Sequence, residues 1–278
     1  DLGTSIKMLR NRQQVLDAMS EIASLRDEFE VAHHGRVVKA PRLAIMKPVM
    51  QEDSSAGTVP HEPSVQLLTG GTGGIGLLVA RWLAQMSHPY LVLASRTGIL
   101  KAVDSMQLKA CGAHGVNVYN CSIASRADVH KLVAVVQHQL PTLHGVWHAA
   151  GVLADELFNR QGAHHLHYVL CSKASGAWNL HWAHVATPLH TCVYFSSISG
   201  LLGSAGQANY AAANACLDAQ AFGRIAQASV ASSVTWGPWA EVGMASDRAV
   251  HSRLRAMGVG LIDPWQGITA LEVTRIAR

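Results

Sequence analysis

The chain has 278 residues, 49% of them hydrophobic and only 14% charged, with a formal charge of +4. That composition excludes extended disorder and favours one large covered core, such as a parallel sheet between layers of helices. Lysines and arginines are scattered singly rather than gathered into a run, which argues against a nucleic-acid surface.

Taken in chain order, the segment from Ile6 to Phe29 sets Leu9, Leu16, Met19, Ile22, Ala23 and Phe29 near one helical face, and predicts a short amphipathic helix. A β-rich stretch from Glu30 to Met46 follows, with a turn at Gly35. The polar, Gly/Pro-containing run from Pro48 to Ser64 reads as a linker. The expected organisation is therefore a leading piece over 1–47, a linker over 48–64 and a main domain over 65–278.

Beyond the linker, short apolar runs alternate with helix-length segments. The predicted strands are Val65–Thr69, Tyr90–Ser95, Gly115–Cys121, Leu143–Ala149, His190–Ser196 and Ser229–Trp236, with Ala-rich helices around Ala80, Ala134, Ala177 and Ala213. This alternation predicts an α/β domain, a Rossmann-type doubly wound parallel sheet with flanking helices.

The first of these strands runs directly into Thr69-Gly70-Gly71-Thr72-Gly73-Gly74-Ile75-Gly76 and then a helical pattern. Glycines in that context let backbone N–H groups approach a pyrophosphate, whose charge the helix N-terminus favours, although a glycine cluster also suits a plain strand-to-helix turn. At the end of the second strand stands Ser95-Arg96-Thr97. A nucleotide lacking a 2′-phosphate is usually held by an acidic residue there, whereas a guanidinium suits a phosphate dianion, so Arg96 favours NADPH over NADH unless it is merely a solvated loop arginine.

Later in the chain the fifth strand ends in Phe195-Ser196-Ser197, a helix carries Tyr210 and Asn214, and Lys173 lies on the preceding helix. Carbonyl reduction needs a proton donor beside the oxygen that gains charge, and a phenol with pKa about 10 is a slow donor at neutral pH unless a nearby ammonium lowers it. Read singly, the same residues also suit a buried tyrosine with a polar tip, a capping serine and a surface lysine.

The runs TGGTGGIG, SRTG, HAAGVLADE, SKASGAWNLH, FSSISGLLGSAGQANYAAANACLDA and WGPWAEVGMA, in that order, resemble the ketoreductase domains of modular polyketide synthases and animal-type fatty-acid synthases, members of the short-chain dehydrogenase/reductase superfamily. The resemblance runs from about Val65 to the C-terminus. It implies NADPH-dependent reduction of a β-ketoacyl thioester, carried on an acyl carrier protein, within a synthase whose other domains are neighbours in the same polypeptide. It also implies that Tyr210 donates the proton, Ser197 hydrogen-bonds the substrate carbonyl, Lys173 holds the ribose and depresses the tyrosine pKa, and Asn214 orders a relay water. Asn214 four residues after Tyr210, with the lysine upstream, is the synthase-borne arrangement.

By the same resemblance Ala149, Ala150 and Gly151 lie near the nicotinamide ribose, and Ser122 and Ile123 near the adenine, where the family typically has an aspartate. Leu153-Ala154-Asp155, with Leu202 in place of a tryptophan eight residues before the tyrosine, implies a D-hydroxy product. Trp239 and Met244, in the loop and lid over the substrate, are expected to line an acyl channel. Residues 1–47 resemble the tail of the structural subdomain that precedes such catalytic domains. A catalytically silent scaffold or epimerising domain of the same synthase, and a free-standing reductase of small ketones, are the competing readings.

Five cysteines form no CxxC pair, which suits reduced thiols in the cytoplasm, and no apolar run reaches the roughly 18 residues of a membrane span. Sixteen histidines invite a metal reading, but no carboxylate or cysteine set joins them at ligand spacing, so no metal site is expected. A chain that opens on Asp1 and ends within a helix-like stretch is expected to be a piece of a longer polypeptide, lacking a last sheet strand after Arg278 and less stable than a longer version.

Overall fold

The computed structural model describes residues 32–34, 37–39, 64–87, 89–244, 251, 252, 254, 256 and 258–276. The chain divides into two units, Asp1–Gly57 and Thr58–Arg278. The expected helix over residues 6–29, the linker up to Pro63 and most of the lid lie outside the described residues. In the first unit, β1 (Ala32–His34) and β2 (Val37–Lys39) pair antiparallel, Ala32 opposite Lys39 and His34 opposite Val37, within the stretch read as β-rich.

The second unit is built on β3 (Val65–Thr69), β4 (Tyr90–Ser95), β5 (Gly115–Asn120), β6 (Leu143–His148), β7 (Thr191–Ser197) and β8 (Ser232–Trp236). Their order across the sheet is β5-β4-β3-β6-β7-β8, and every neighbouring pair is parallel. Chain order thus runs outward from β3 to one edge, then returns to β6 and runs to the other. The reversal lies between β3 and β6, and in such sheets the crevice at the carboxyl ends there receives a ligand.

Helices cover both faces. On one side α1 (Gly74–Ser87), α2 (Ala102–Ala110) and α8 (Pro264–Ile276) contribute Val79, Trp82, Leu83, Leu108 and Leu271 to a core with Leu68, Leu91, Leu93, Trp147, Val193 and Phe195. On the other, α3 (Arg126–Gln139), α5 (Gly176–Ala183) and α7 (Ala208–Ala226) bring Val129, Leu132, Val136, Leu180 and Leu217 against Leu67, Val92, Val146, Cys192 and Tyr194. Successive strand residues point to opposite faces, so strands buried on both sides must be apolar throughout, as VQLLT and YLVLAS nearly are. Among the described residues no helix is long and apolar enough to cross a membrane.

Two shorter helices, α4 (Ala163–Leu170) and α6 (Ser199–Leu202), sit beside the carboxyl edge of the sheet. Between α4 and α5 the backbone forms a five-residue π-helical turn, Cys171–Ser175. Lys173 therefore lies in an interruption of the regular helix rather than on the plain helix the sequence suggests, and such turns re-aim a side chain.

Candidate active site

A cleft of about 950 Å³ opens at the carboxyl ends of the central strands. Its walls include Thr69, Gly70 and Thr72 to Gly76 from the turn after β3, Ser95, Arg96 and Thr97 after β4, Ser122 and Ile123 after β5, Ala149, Ala150 and Gly151 after β6, and Met244. The turn is compact because its backbone folds on itself: Gly73 N–H donates to Gly70 O at 2.9 Å, and Leu77 N–H to Gly73 O at 2.8 Å. Gly70 has φ +67°, and a Cβ there would press on the Ala149 and Ala150 backbone at 3.0 Å. At Gly76 a Cβ would lie 2.3 Å from Gly70 O, so no side chain is admissible. Gly71 is set apart from its neighbours: it backs the turn against Leu68 O and Leu93 instead of facing the cleft. A helix N-terminus behind a turn built mostly of glycines suits a pyrophosphate.

The sequence reading missed part of this cleft. Ala94 and Cys121, which stand next to expected residues at the strand ends, line it too. So do His167, Tyr168, Cys171 and Ser172 from α4 and the π turn, and Glu241, Val242 and Gly243. Strand ends announce themselves by the carboxyl-edge rule, but which face of α4 meets the crevice depends on its packing.

Tyr210, Ser197, Asn214 and Lys173 form a separate cluster that adjoins the cleft at Gly151. Lys173 is 3% exposed; its Nζ donates to Phe195 O at 2.8 Å and lies 5.2 Å from the centre of the Tyr210 ring. A Cβ added to Gly151 would sit 3.0 Å from Lys173 Cε, so the lysine stem passes directly behind the cleft wall. Burial pushes the Lys173 ammonium down to about 8, opposed by the Asp218 carboxylate. Burial also raises the Tyr210 phenol, against hydrogen bonding from Asn214 and Ser197, and the Asp155 charge adds to the rise. The expected lowering of that phenol by Lys173 is thus not what this arrangement produces, because desolvation outweighs the polar contacts and the ammonium is turned to Phe195 O.

Asn214 is fully buried, and its Nδ2 donates to Tyr210 O at 2.8 Å while Oδ1 has no hydrogen-bond partner. Ser197 Oγ, at the end of β7, accepts from Ser199 N–H at 3.3 Å. Behind the cluster stands His148, with no solvent exposure. Its Nε2 lies 2.9 Å from Lys173 O and its Nδ1 2.7 Å from Thr69 Oγ1. A carbonyl can only accept, so Nε2 carries the proton and Nδ1 accepts from the threonine hydroxyl. Burial lowers His148 to about 4 and keeps it neutral.

The loop after β6 is fastened to the start of α7. Asn209, fully buried, donates through Nδ2 to Ala154 O at 2.8 Å and His165 O at 3.3 Å, and its Oδ1 accepts from Tyr210 N–H at 2.8 Å and Gln161 Nε2 at 3.3 Å. Of the residues expected to meet a substrate, Asp155 accepts from Gln207 Nε2 at 3.0 Å, and Leu202 is 64% exposed at the end of α6. Trp239 departs from expectation. It is buried with Trp236, Ile262 and Gly267 in the core rather than facing the cleft. Among the described residues no group of three or more His, Cys, Asp or Glu is arranged to hold a metal ion.

The profile of the KR domain family matches residues 64–241. Among curated proteins, the polyketide synthase GfsB of Streptomyces halstedii is 44% identical over 208 residues, 74% of this chain and 4% of that protein. Naringenin synthase of Pestalotiopsis fici is 34% identical over 275 residues, 96% of this chain and 10% of that protein. Among solved structures, an A1-type ketoreductase matches with TM-score 0.80 at 38% identity, over 89% of this chain and 52% of that one. The first ketoreductase of the tylosin PKS matches with TM-score 0.73 at 34% identity, over 90% and 53%. The chain spans about half the length of these ketoreductase structures and a tenth or less of these synthases.

Proposed function

Because this chain belongs to the KR domain family of polyketide-synthase ketoreductases, we propose that it reduces a β-ketoacyl thioester, presented by an acyl carrier protein, to the β-hydroxyacyl thioester with NADPH. The observation that carries the proposal is the meeting of a half-buried phenol, a serine hydroxyl and a lysine ammonium beside the wall of a glycine-lined cleft. The donor set suits the cofactor: a glycine-rich turn for the pyrophosphate, small residues 149–151 for the nicotinamide ribose, and Arg96 for a 2′-phosphate.

Bound NADPH supplies the hydride that the carbonyl carbon receives. Tyr210 gives the proton to the carbonyl oxygen, on which negative charge develops, and Ser197 donates a hydrogen bond to the same oxygen. As a phenol Tyr210 carries its proton at neutral pH, and burial makes it the weaker acid until charge develops on the carbonyl oxygen. Lys173, cationic below about pH 8 and 5.2 Å from the Tyr210 ring centre, is the residue that would hold the ribose of a bound nucleotide, and its charge would offset the one left on the tyrosine as the proton leaves. Asn214 Oδ1 accepts from a water that returns the proton. Residues 65–278 are the catalytic domain in this reading, and the leading 1–47 are the tail of a structural subdomain. Leu153-Ala154-Asp155 and Leu202 favour a D-hydroxy product; chiral analysis yielding mainly the L-alcohol would reject that assignment.

The deciding experiment follows NADPH consumption with a β-keto N-acetylcysteamine thioester in the parent and in Tyr210→Phe. Loss of the proton donor is expected to slow turnover by about 10²- to 10⁴-fold, with the circular dichroism spectrum unchanged. Parent protein that is folded, binds NADPH and yet consumes none would instead indicate a silent scaffold.

A further inference from the structure

Arg96 and Tyr168 both line the cleft, one on the loop after β4 and the other on α4. Arg96 Nη1 donates to the Tyr168 hydroxyl at 3.1 Å, a contact between residues 72 apart in sequence. Among the described residues no carboxylate lies within ion-pair distance of Arg96, so its charge is left for an anion. We infer that the Tyr168 hydroxyl is a second recognition group for the 2′-phosphate of the nucleotide, acting as a pair with Arg96. The inference rests on the reading of Arg96 as the selector of NADPH.

The chemistry follows from the donor inventory. A guanidinium has five N–H donors, and the contact to Tyr168 uses one of them. The phenol accepts through oxygen, which leaves its own proton to donate to a phosphate oxygen. A long arginine side chain on an exposed loop loses rotamer freedom when it grips a ligand, and a partner that already holds it reduces that loss. Both effects act only on a nucleotide that carries the phosphate; one with a free 2′-hydroxyl offers no dianion to either group. The tyrosine ring, 48% exposed, also forms part of the cleft wall, so ring and hydroxyl must be tested apart.

The experiment measures dissociation constants of NADPH and NADH, by quenching of tryptophan fluorescence, for the parent, Tyr168→Phe and Arg96→Ala. Phenylalanine keeps the ring and deletes only the hydroxyl. NADPH binding to Tyr168→Phe is expected to weaken by about three- to tenfold, the range for one hydrogen bond, with NADH binding unchanged. An unchanged NADPH constant, or equal losses for both nucleotides, overturns the inference. If Arg96→Ala weakens NADPH selectively while Tyr168→Phe does not, Tyr168 falls alone. Should Arg96→Ala leave both constants unchanged, the NADPH reading falls and takes this inference with it.

Discussion

His148 shows how one side chain can tie three segments together. Its ring joins the end of β3, through Thr69, to the carbonyl of Lys173 at the centre of the π turn, in a buried place that disfavours the charged imidazolium. Buried His184 is likewise lowered to about 4, by desolvation and then by the Arg224 charge. An imidazole with an unfolded value of 6.5 and a folded value near 4 binds protons more readily in the unfolded chain between those limits. Its contribution to stability is complete above pH 6.5 and is lost as pH falls toward 4. For His148 the loss on going from pH 7.5 to pH 5 is on the order of 2 kcal/mol. Urea unfolding at the two pH values is expected to show a lower midpoint in acid for the parent and a smaller change in His148→Asn, whose amide keeps a donor and an acceptor without a titrating ring. A midpoint that does not move between pH 7.5 and pH 5 would contradict this account.

At the scale of elements, the first turn of α7 is the critical join. Asn209 fastens it to the loop after β6 and to α4, and the backbone N–H of Tyr210 is one of the groups it satisfies. Removing this amide takes the side-chain partner from Ala154 O and Tyr210 N–H in a partly buried place. Asn209→Ala is therefore expected to lose about 1–3 kcal/mol of stability. It should also lower kcat more than it raises KM for the thioester, because the tyrosine's seat rather than a binding contact is loosened. Urea titration and steady-state kinetics check the two parts, and a stable variant with unaltered kcat would show that the turn holds itself. Ser125 caps α3 in a more ordinary way, accepting from Asp128 N–H at 3.2 Å, while Asp128 Oδ2 accepts from Ser122 N–H at 3.2 Å. That pairing fixes the loop after β5, which carries Ser122 into the cleft wall.

Across the whole molecule, the cleft draws its walls from four strand ends, from α4 and from the segment 241–244. A nucleotide held along those walls would touch both halves of the doubly wound sheet, and binding to the folded state alone would raise stability by mass action. NADPH at about 100 times its dissociation constant is expected to add roughly 2.7 kcal/mol, read as a higher Tm, with NADH at the same concentration adding less. Equal Tm increases from the two nucleotides would count against phosphate recognition.

Much of the architecture was legible in local pattern. Strands buried on both faces must be apolar runs, so two of the six sheet strands were located with the same bounds and the other four within three residues at their ends. Glycines placed where a Cβ would strike backbone declared the turn after β3, because no other residue fits there. What stayed hidden depends on contacts distant in sequence. Trp239 has the look of a channel residue, yet Gly267 of α8 leaves room for its ring and the core takes it. The π turn that aims Lys173, the buried histidine behind it and the tyrosine opposite Arg96 arise from how α4 and α5 settle on the sheet. The sequence by itself determined the order of strands and helices and the types of reactive groups, since periodicity and steric exclusion act over a few residues. Only the tertiary structure decided which of those groups meet, which are desolvated and which way each points, because burial and long-range hydrogen bonds exist only once the layers have packed.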